Sequence, residues 1–296
     1  FSFTFSFAQE QESLVIEEII VNTDYRLSDL NDIPSSVIIL NETLIQDRNA
    51  QHLEEVLLNA PNVNFSSGSS RARFYQIRGI GERGQFSEPL NSSVGVIIDG
   101  IDFSGIGNAS MLYDIDQVEV FLGPQGTRYG SNALAGLISL QSKAPTKELS
   151  YGLKLESGDY NSNGLGGYLS GPLSERFSYR ISAQQIKSDG FNMNRFLNDE
   201  TNTRNERVVR GKINGELLDG VELDLTASTI KLNNGYDAFS LNNDRDTLSD
   251  QPGSDLQDSE LLSAKITVSR FKHFTFDTLL GYGDSRTEYS YDEDWV

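Results

Sequence analysis

The fold is decided by residues 118–140, which read VEVFLGPQGTRYGSNALAGLISL. Two strands of alternating apolar residues flank a run that holds Gly123, Pro124, Gly126, Gly130 and Gly136. Glycine allows sharp turns and close approach of one backbone to another, so this run predicts a compact crossover between the strands. The sequence before it reads as a small mixed α/β domain, and the sequence after it reads as long alternating strands and nothing else.

The composition excludes several classes of protein. The chain has 296 residues and no cysteine, which excludes disulfide scaffolds, thiolate zinc sites and cysteine nucleophiles. The formal net charge of −19 argues against nucleic acid as a partner. No run approaches the roughly 20 apolar residues of a transmembrane helix, but barrel strands alternate and give only a weak hydropathy signal.

The amino-terminal segment carries two ambiguous signals. Residues 1–8 read FSFTFSFA, and Ser6 and Ala8 suit the positions before a leader-peptidase cleavage site. The remnant of a secretory leader is therefore expected there, with an ordinary frayed terminus as the alternative. Residues 14–22 are a short β-prone run near a free end. They could be donated to the edge of a partner's sheet or form the first strand of the domain.

The α/β part is predicted from turn and cap signals. Residues 32–40 predict a proline-led strand, and Asn41 can cap a short helix through Ile45. A second helix is expected over 51–59, ended by Pro61, and 66–70 read as a flexible Ser/Gly loop. Strands follow at 74–78 and 94–100, the second ending in the turn Asp99-Gly100.

The pattern changes near Leu149. About seven strands follow, in which apolar residues alternate with polar ones, and they start near Leu149, Leu165, Phe177, Arg207, Val221, Leu261 and Phe274. One face carries mixed charge, from Arg180, Arg210, Lys212, Glu216, Glu222 and Asp224. Short links (171–176, 218–221, 271–274) alternate with long polar ones (188–206, 233–260), although the link at 158–163 is short.

This alternation of short and long links is typical of an outer-membrane barrel, whereas a soluble sandwich does not require it. Seven strands cannot close such a barrel, because an open edge in lipid leaves backbone groups unsatisfied. The chain is therefore interpreted as a fragment cut at both ends.

Other motifs are weak. Residues 79–84 fit G-x-G-x-x-G, but the dinucleotide fingerprint requires a helix from the third glycine, and 85–93 contain Pro89 and no helical periodicity. His52 and His273 are far apart, and neither completes a triad or zinc site; His52 is expected on a helix surface. Five aspartates between 244 and 258 miss the EF-hand spacing and predict a solvated acidic loop rather than a calcium site. No catalytic residues, metal or cofactor are expected.

Five features, in order, resemble the TonB-dependent outer-membrane transporters. Residues 17–21, EEIIV, resemble the TonB box. Ile33-Pro34, with the helix that ends near Asn59-Ala60-Pro61, resembles the opening of the plug. Ile77-Arg78-Gly79 and Asp99-Gly100 resemble its I-R-G strand and D-G turn. Residues 118–136 resemble its V-E-V-x-R-G-P-Q-G-x-x-Y-G block, which includes Tyr129.

The resemblance implies a mixed α/β plug domain followed by antiparallel transmembrane β-barrel strands, about 7 of about 22. The implied organisation is a leader remnant (1–8), an extension with the TonB box (9–30), a plug (31–146) and the start of the barrel (147–296). TonB would bind Glu17, Glu18, Ile19, Ile20 and Val21. Plug structure and gating would depend on Arg78, Gly79, Asp99, Gly100, Gly123, Pro124, Gly126, Tyr129, Gly130 and Gly136.

One position departs from the family. The residue before Gly123 is usually arginine, which joins Arg78 in meeting two barrel glutamates, whereas this chain has Leu122. Only the role of Arg78 is carried over.

The implied function is TonB-driven uptake of a scarce nutrient (iron chelate, haem, cobalamin or saccharide) across the bacterial outer membrane, with outer-membrane lipid around the barrel. A passive plugged porin or surface ligand-binding protein is the main alternative. An α/β enzyme is a minor one, supported only by the glycine motif.

Overall fold

The structure, a computed structural model, describes residues 2–5, 20–21, 28–29, 36–84, 91–237, 239–240, 242–294 and 296. The chain divides into two compact units. The α/β unit comprises residues 7–68 and 72–143, and the sheet unit comprises residues 1–6, 69–71 and 144–296. None of the helices in the described ranges combines the length and apolarity needed to cross a bilayer.

The α/β unit is built on a five-stranded mixed sheet. Its elements are β2 (Ile20–Val21), β3 (Ser28–Asp29), β4 (Val37–Asn41), α1 (Glu42–Asp47), α2 (Leu53–Leu57), β5 (Val63–Ser66), β6 (Phe74–Ile77), β7 (Val94–Ile98), β8 (Ile101–Asp102), β9 (Ile115–Phe121), α3 (Gly126–Tyr129) and β10 (Gly136–Ser142). The sheet order is β4-β9-β10-β7-β8, while β2-β3 and β5-β6 form separate pairs. Strands β7 and β10 are parallel and the other pairs of the five-stranded sheet are antiparallel.

Residues 118–140 form the centre of this sheet. Strands β9 and β10 pair directly, with Phe121 opposite Leu137, and the glycine run between them holds the short helix α3. The two strands were expected to alternate. Instead, every residue from Val118 to Phe121 is buried, because the strands lie inside the sheet and both faces are covered.

The two helices follow their cap signals. Asn41 accepts a hydrogen bond from the backbone N–H of Leu44 and caps α1 as predicted. Helix α2 is shorter than expected, and its cap is His52, whose Nδ1 accepts from the backbone N–H of Glu54. The prediction that His52 lies on a helix surface is wrong, since the residue is 0% exposed.

The sheet unit is dominated by one antiparallel sheet of eight strands. Its elements are β1 (Ser2–Phe5), β11 (Ser150–Ser157), β12 (Asn163–Pro172), β13 (Phe177–Ser188), β14 (Asn192–Asn194), β15 (Asp199–Thr201), β16 (Arg204–Leu218), β17 (Val221–Tyr236), β18 (Asp246–Thr247), β19 (Gly253–Phe271) and β20 (Phe274–Tyr289). The order is β1-β11-β12-β13-β16-β17-β19-β20, so neighbours along the chain are neighbours in the sheet. The seven predicted strands are confirmed, but β19 begins eight residues before Leu261. Residues 2–5, interpreted as leader, pair with β11.

The two faces of this sheet differ chemically, as the alternation predicts. Arg180, Arg210, Lys212 and Asp224 occupy positions of one face, where Arg180 is opposite Lys212 and Asn214 is opposite Asp224. The other face exposes large apolar residues: Leu153, Leu165, Ile181, Leu262, Phe276 and Leu280. Apolar side chains facing out and polar side chains facing in is the pattern of a membrane barrel wall.

Candidate functional site

Two turns of the α/β unit hold predicted plug residues, although Arg78 was expected at the end of a strand that in fact stops at Ile77. Arg78 (φ 54°) and Gly79 (φ 82°) lie between the bridged residues Ile77 and Ile80, and the N–H of Arg78 donates to the carbonyl of Asn62 (2.8 Å). The Arg78 side chain is exposed. Its expected role toward glutamates stays a prediction.

Asp99 and Gly100 form the turn between β7 and β8, again with positive φ at both residues (48° and 85°). This is the geometry of a type I′ hairpin, which favours Asp-Gly. The Asp99 carboxylate also accepts from the backbone N–H (3.0 Å) and hydroxyl (2.7 Å) of Ser142. Asp99 thereby ties the end of β7 to the end of β10.

The glycines of the crossover are required for two different reasons: Gly136 has no room for a side chain, whereas Gly123 and Gly130 have backbone angles that favour glycine. A Cβ on Gly136 would overlap the carbonyl oxygen of Phe121 and the side chain of Ile77. Gly123 (φ 155°) and Gly130 (φ 77°) instead have open space but backbone angles that other residues rarely adopt. Pro124 is exposed, Gly126 begins α3, and Tyr129 packs on the buried cluster around Phe121 and Leu137.

Leu122 directly follows β9, the first of the two strands that flank the glycine run. Its backbone N–H donates to the carbonyl of Ser36 (2.8 Å), and its side chain is partly buried. An aliphatic side chain cannot replace the ionic contacts that the usual arginine would make.

The predicted TonB-binding residues are only partly described. Glu17, Glu18 and Ile19 lie outside the described residues. Ile20 and Val21 form β2, which pairs antiparallel with Ser28–Asp29. The role of this run stays a prediction.

A buried ion-pair cluster in the sheet unit was not predicted. Arg71, 0% exposed, donates from Nε and Nη2 to the two carboxylate oxygens of Glu206, both at 2.7 Å. Asn234 Nδ2 donates to Glu206 Oε1 (2.8 Å) and to the hydroxyl of Ser70 (2.9 Å). The N–H and hydroxyl of Ser70 donate to Asp255 Oδ2 at 2.9 and 2.6 Å.

The cluster formed by Ser70, Arg71, Glu206, Asn234 and Asp255 therefore joins a three-residue segment to the ends of three adjacent strands. The loop expected to be flexible over 66–70 is fixed at its second half, since Ser69 and Arg71 are both buried. The only sequence signal was one arginine after a Ser/Gly run. The partners of Ser70 and Arg71 are 135 to 185 residues away in the chain, beyond any local pattern.

The long loops of the sheet unit are linked to one another. Strand β14 pairs with β15 of its own loop and, in parallel, with β18 of the next loop. The buried carboxylate of Asp237 accepts from Thr247 Oγ1 (2.5 Å), Ser249 Oγ (2.7 Å) and Asn194 Nδ2 (3.0 Å). These links organise a surface at the loop ends of the strands.

An aromatic group lies at the same end of the sheet. Tyr236 and Tyr289, at the last positions of β17 and β20, have ring centroids 5.2 Å apart, and Phe239 and Tyr291 extend the group. Rings beside a buried ion-pair cluster offer flat apolar surface next to hydrogen-bonding groups, which suits a small amphipathic ligand.

The five aspartates between 244 and 258 do not form one solvated loop. Asp255 belongs to the buried ion-pair cluster, Asp258 pairs with Lys231 (3.1 Å), and Asp246 pairs with Arg195 (2.9 Å). The hydrogen bond from Arg195 to Asp246 raises the pKa of Arg195. Among the described residues, no group of three or more His, Asp or Glu could hold a metal ion.

Comparisons with known proteins agree with this architecture. The family model of the TonB-dependent Receptor Plug Domain matches residues 29–137. The chain is 27% identical over 198 residues to the ferric enterobactin receptor PirA of Pseudomonas aeruginosa, covering 60% of this chain and 26% of that protein. It is 24% identical over 195 residues to the vitamin B12 transporter BtuB of Vibrio vulnificus, covering 64% and 31%.

Solved structures show the same fold. The crystal structure of the ferric yersiniabactin uptake receptor FyuA from Yersinia pestis matches with a TM-score of 0.76 at 17% identity, covering 88% of this chain and 42% of that one. The chain spans only 26% of the length of the PirA receptor and 31% of the length of the BtuB transporter.

Proposed function

We propose that this chain is a TonB-dependent outer-membrane receptor and serves active uptake of a scarce small-molecule nutrient across the bacterial outer membrane, since the plug-domain family model matches residues 29–137. The observation that carries the proposal is one polypeptide that combines a plug domain with strands of a membrane barrel wall. We propose no catalytic role, since the relatives are receptors and transporters rather than enzymes.

The energy would come from TonB. Residues 17–21 would be captured by strand addition, in which main-chain hydrogen bonds provide affinity at a sheet edge. Within the described residues, Ile20–Val21 pair with Ser28–Asp29, and the edge of a partner's sheet could replace that pairing.

The nutrient would bind at the loop end of the sheet unit, where the aromatic group and the buried ion-pair cluster lie. Iron chelates are the preferred class, because the similar proteins include receptors for ferric enterobactin, ferrioxamine B and ferric yersiniabactin. Haem, cobalamin and saccharides stay as alternatives within the same function.

The test is deletion of residues 17–21, with uptake and surface binding of a panel of ferric chelates and cobalamin measured on whole cells. Uptake should be lost while binding persists. Deletion of residues 9–13, of equal length and on the amino-terminal side of the box, is the matched control and should leave uptake unchanged. Uptake that survives loss of 17–21 would instead favour the passive plugged porin.

A further inference from the structure

The exposed apolar face of the sheet unit gives way to a charged row near the loops. Strand register places Gln185 opposite Arg207, Arg207 opposite Lys231, Lys231 opposite Asp258 and Asp258 opposite Arg286. These five positions form one line across five neighbouring strands. We call it the cationic row, since three of its members are cations and one is an anion.

Two cations of the cationic row repel each other. Arg207 and Lys231 are directly opposite, and like charges in that position destabilise a sheet. Lys231 has Asp258 as a partner at 3.1 Å. In the part of the chain that the structure describes, the side chains of Arg207 and Arg286 form no hydrogen bond or ion pair. A bound anion would remove the repulsion and supply the missing partners.

The row borders a cleft of about 490 Å³ on the same face. Its lining includes Gln185, Asn205, Arg207, Lys231, Arg286 and Glu288. The Gln185 amide donates to Asn205 Oδ1 at 3.0 Å, which completes a polar floor. The acids Glu260 and Asp284, one row below, belong to β19 and β20, so an anion is favoured near β16 and β17.

The height of the row fits a lipid headgroup. On β13, β19 and β20, the nearest exposed large apolar residues of the same face are Ile181, Leu262 and Tyr282, which are 54–61% exposed. These residues lie four positions along each strand from the cationic row, which is about 13 Å along the strand or about 10 Å in height at a tilt of roughly 40°. That distance places Arg207 and Lys231 at the polar boundary of the bilayer rather than in its hydrocarbon core.

We propose that the cationic row binds the phosphate-bearing headgroup of an outer-leaflet lipid, with Arg207 and Lys231 as the principal contacts and Arg286 as a third. Basic pockets at the level of the headgroups recognise anionic lipids through such charges. The site lies on the outer face of the sheet and contacts neither the nutrient nor TonB. Lipid binding can therefore be tested independently of the proposed transport function.

The test uses the protein purified in detergent from outer membranes and titrated with bis-phosphorylated lipid A. Parallel titrations use the same lipid with both phosphates removed and inorganic phosphate alone. Binding should require the lipid phosphates and exceed that of inorganic phosphate. The double variant Arg207→Gln/Lys231→Gln should lose about thirtyfold in affinity. The variant Asp258→Asn should gain affinity, because it removes the competing carboxylate from Lys231.

The matched control is Arg270→Gln/Lys272→Gln, which removes the same two charges at the opposite end of the strands, where both residues are exposed. It should bind lipid A within twofold of the parent. A difference in electrophoretic mobility between unheated and heated samples will show that each variant has a folded barrel. Equal binding of the phosphate-free lipid, equal binding of inorganic phosphate, or equal losses in test and control variants would each overturn the proposal.

Discussion

Arg71 and Glu206 form a two-pronged ion pair in which both N–O distances are 2.7 Å and neither side chain is exposed beyond 1%. Such a pair costs desolvation when it forms, so it is weak evidence for stability. Removing one member, however, leaves the other charged and buried. The segment 69–71 is therefore held by a contact in which the loss of either partner is costly.

We predict that Arg71→Gln will release residues 69–71 from their strands. The free energy of local opening should fall by about 3–5 kcal/mol, because Glu206 is left as an uncompensated buried charge. Amide hydrogen exchange of Ser70 and Arg71 measures this directly. Arg83→Gln, which removes an exposed arginine of the α/β unit, is the control and should leave those amides unchanged. Replacing Arg71 and Glu206 together by leucine should restore much of the protection.

We predict that Gly136→Ala destabilises the centre of the α/β sheet by about 1–3 kcal/mol, since the new Cβ would collide with the Phe121 carbonyl and Ile77. Exchange of the β9 and β10 amides reports the loss. Gly126→Ala adds the same methyl group where nothing lies within 4 Å and should be neutral or slightly stabilising. Equal behaviour of the two variants would contradict the steric explanation.

The long loops should open when Asp237 is removed. Asp237→Ala leaves the side-chain donors of Asn194, Thr247 and Ser249 without their carboxylate, at about 1–3 kcal/mol for each buried group left unsatisfied. Limited proteolysis of intact cells should then cut within 237–252 faster. Asp250→Ala, at an exposed position of the same loop, should not change the cleavage rate.

The sequence predicted the strands of the sheet unit, the cap of α1 and the turn between β7 and β8, because each depends on local periodicity or on a single residue type. The turn Asp99-Gly100 and the cap Asn41 were of this kind. The α/β sheet was harder, because strands buried on both faces lose the alternation that identifies exposed strands. His52 was misplaced for a related reason, since a histidine that caps a buried helix gives no polar-face signal.

The buried ion-pair cluster and the cationic row could not be predicted, since both depend on register between strands far apart in the chain. A shift of one residue in β16 would move Glu206 away from Arg71 and turn Arg207 to the opposite face. The five aspartates show the same effect, since register placed Asp255 on one face of β19 and Asp258 on the other.

The loop residue Asp244 gives a pH prediction. Its pKa lies below the ordinary value of 3.8, first because the Ser240 hydroxyl donates to its carboxylate (2.6 Å) and then because the Asp246 N–H does (3.0 Å). A folded pKa below the unfolded value means that the carboxylate stabilises the loop fully above the ordinary pKa. The contribution is lost as the pH falls through the lower, folded value. Loop order should therefore be constant from neutral pH down to about pH 5 and decline only in stronger acid.

Ser240→Ala should raise the Asp244 pKa toward 3.8, whereas Ser174→Ala, in an exposed turn outside this loop, should not. Titration of ¹³C-labelled aspartate carboxyls measures both, and an unchanged Asp244 pKa in the Ser240 variant would show that the hydroxyl is not the cause.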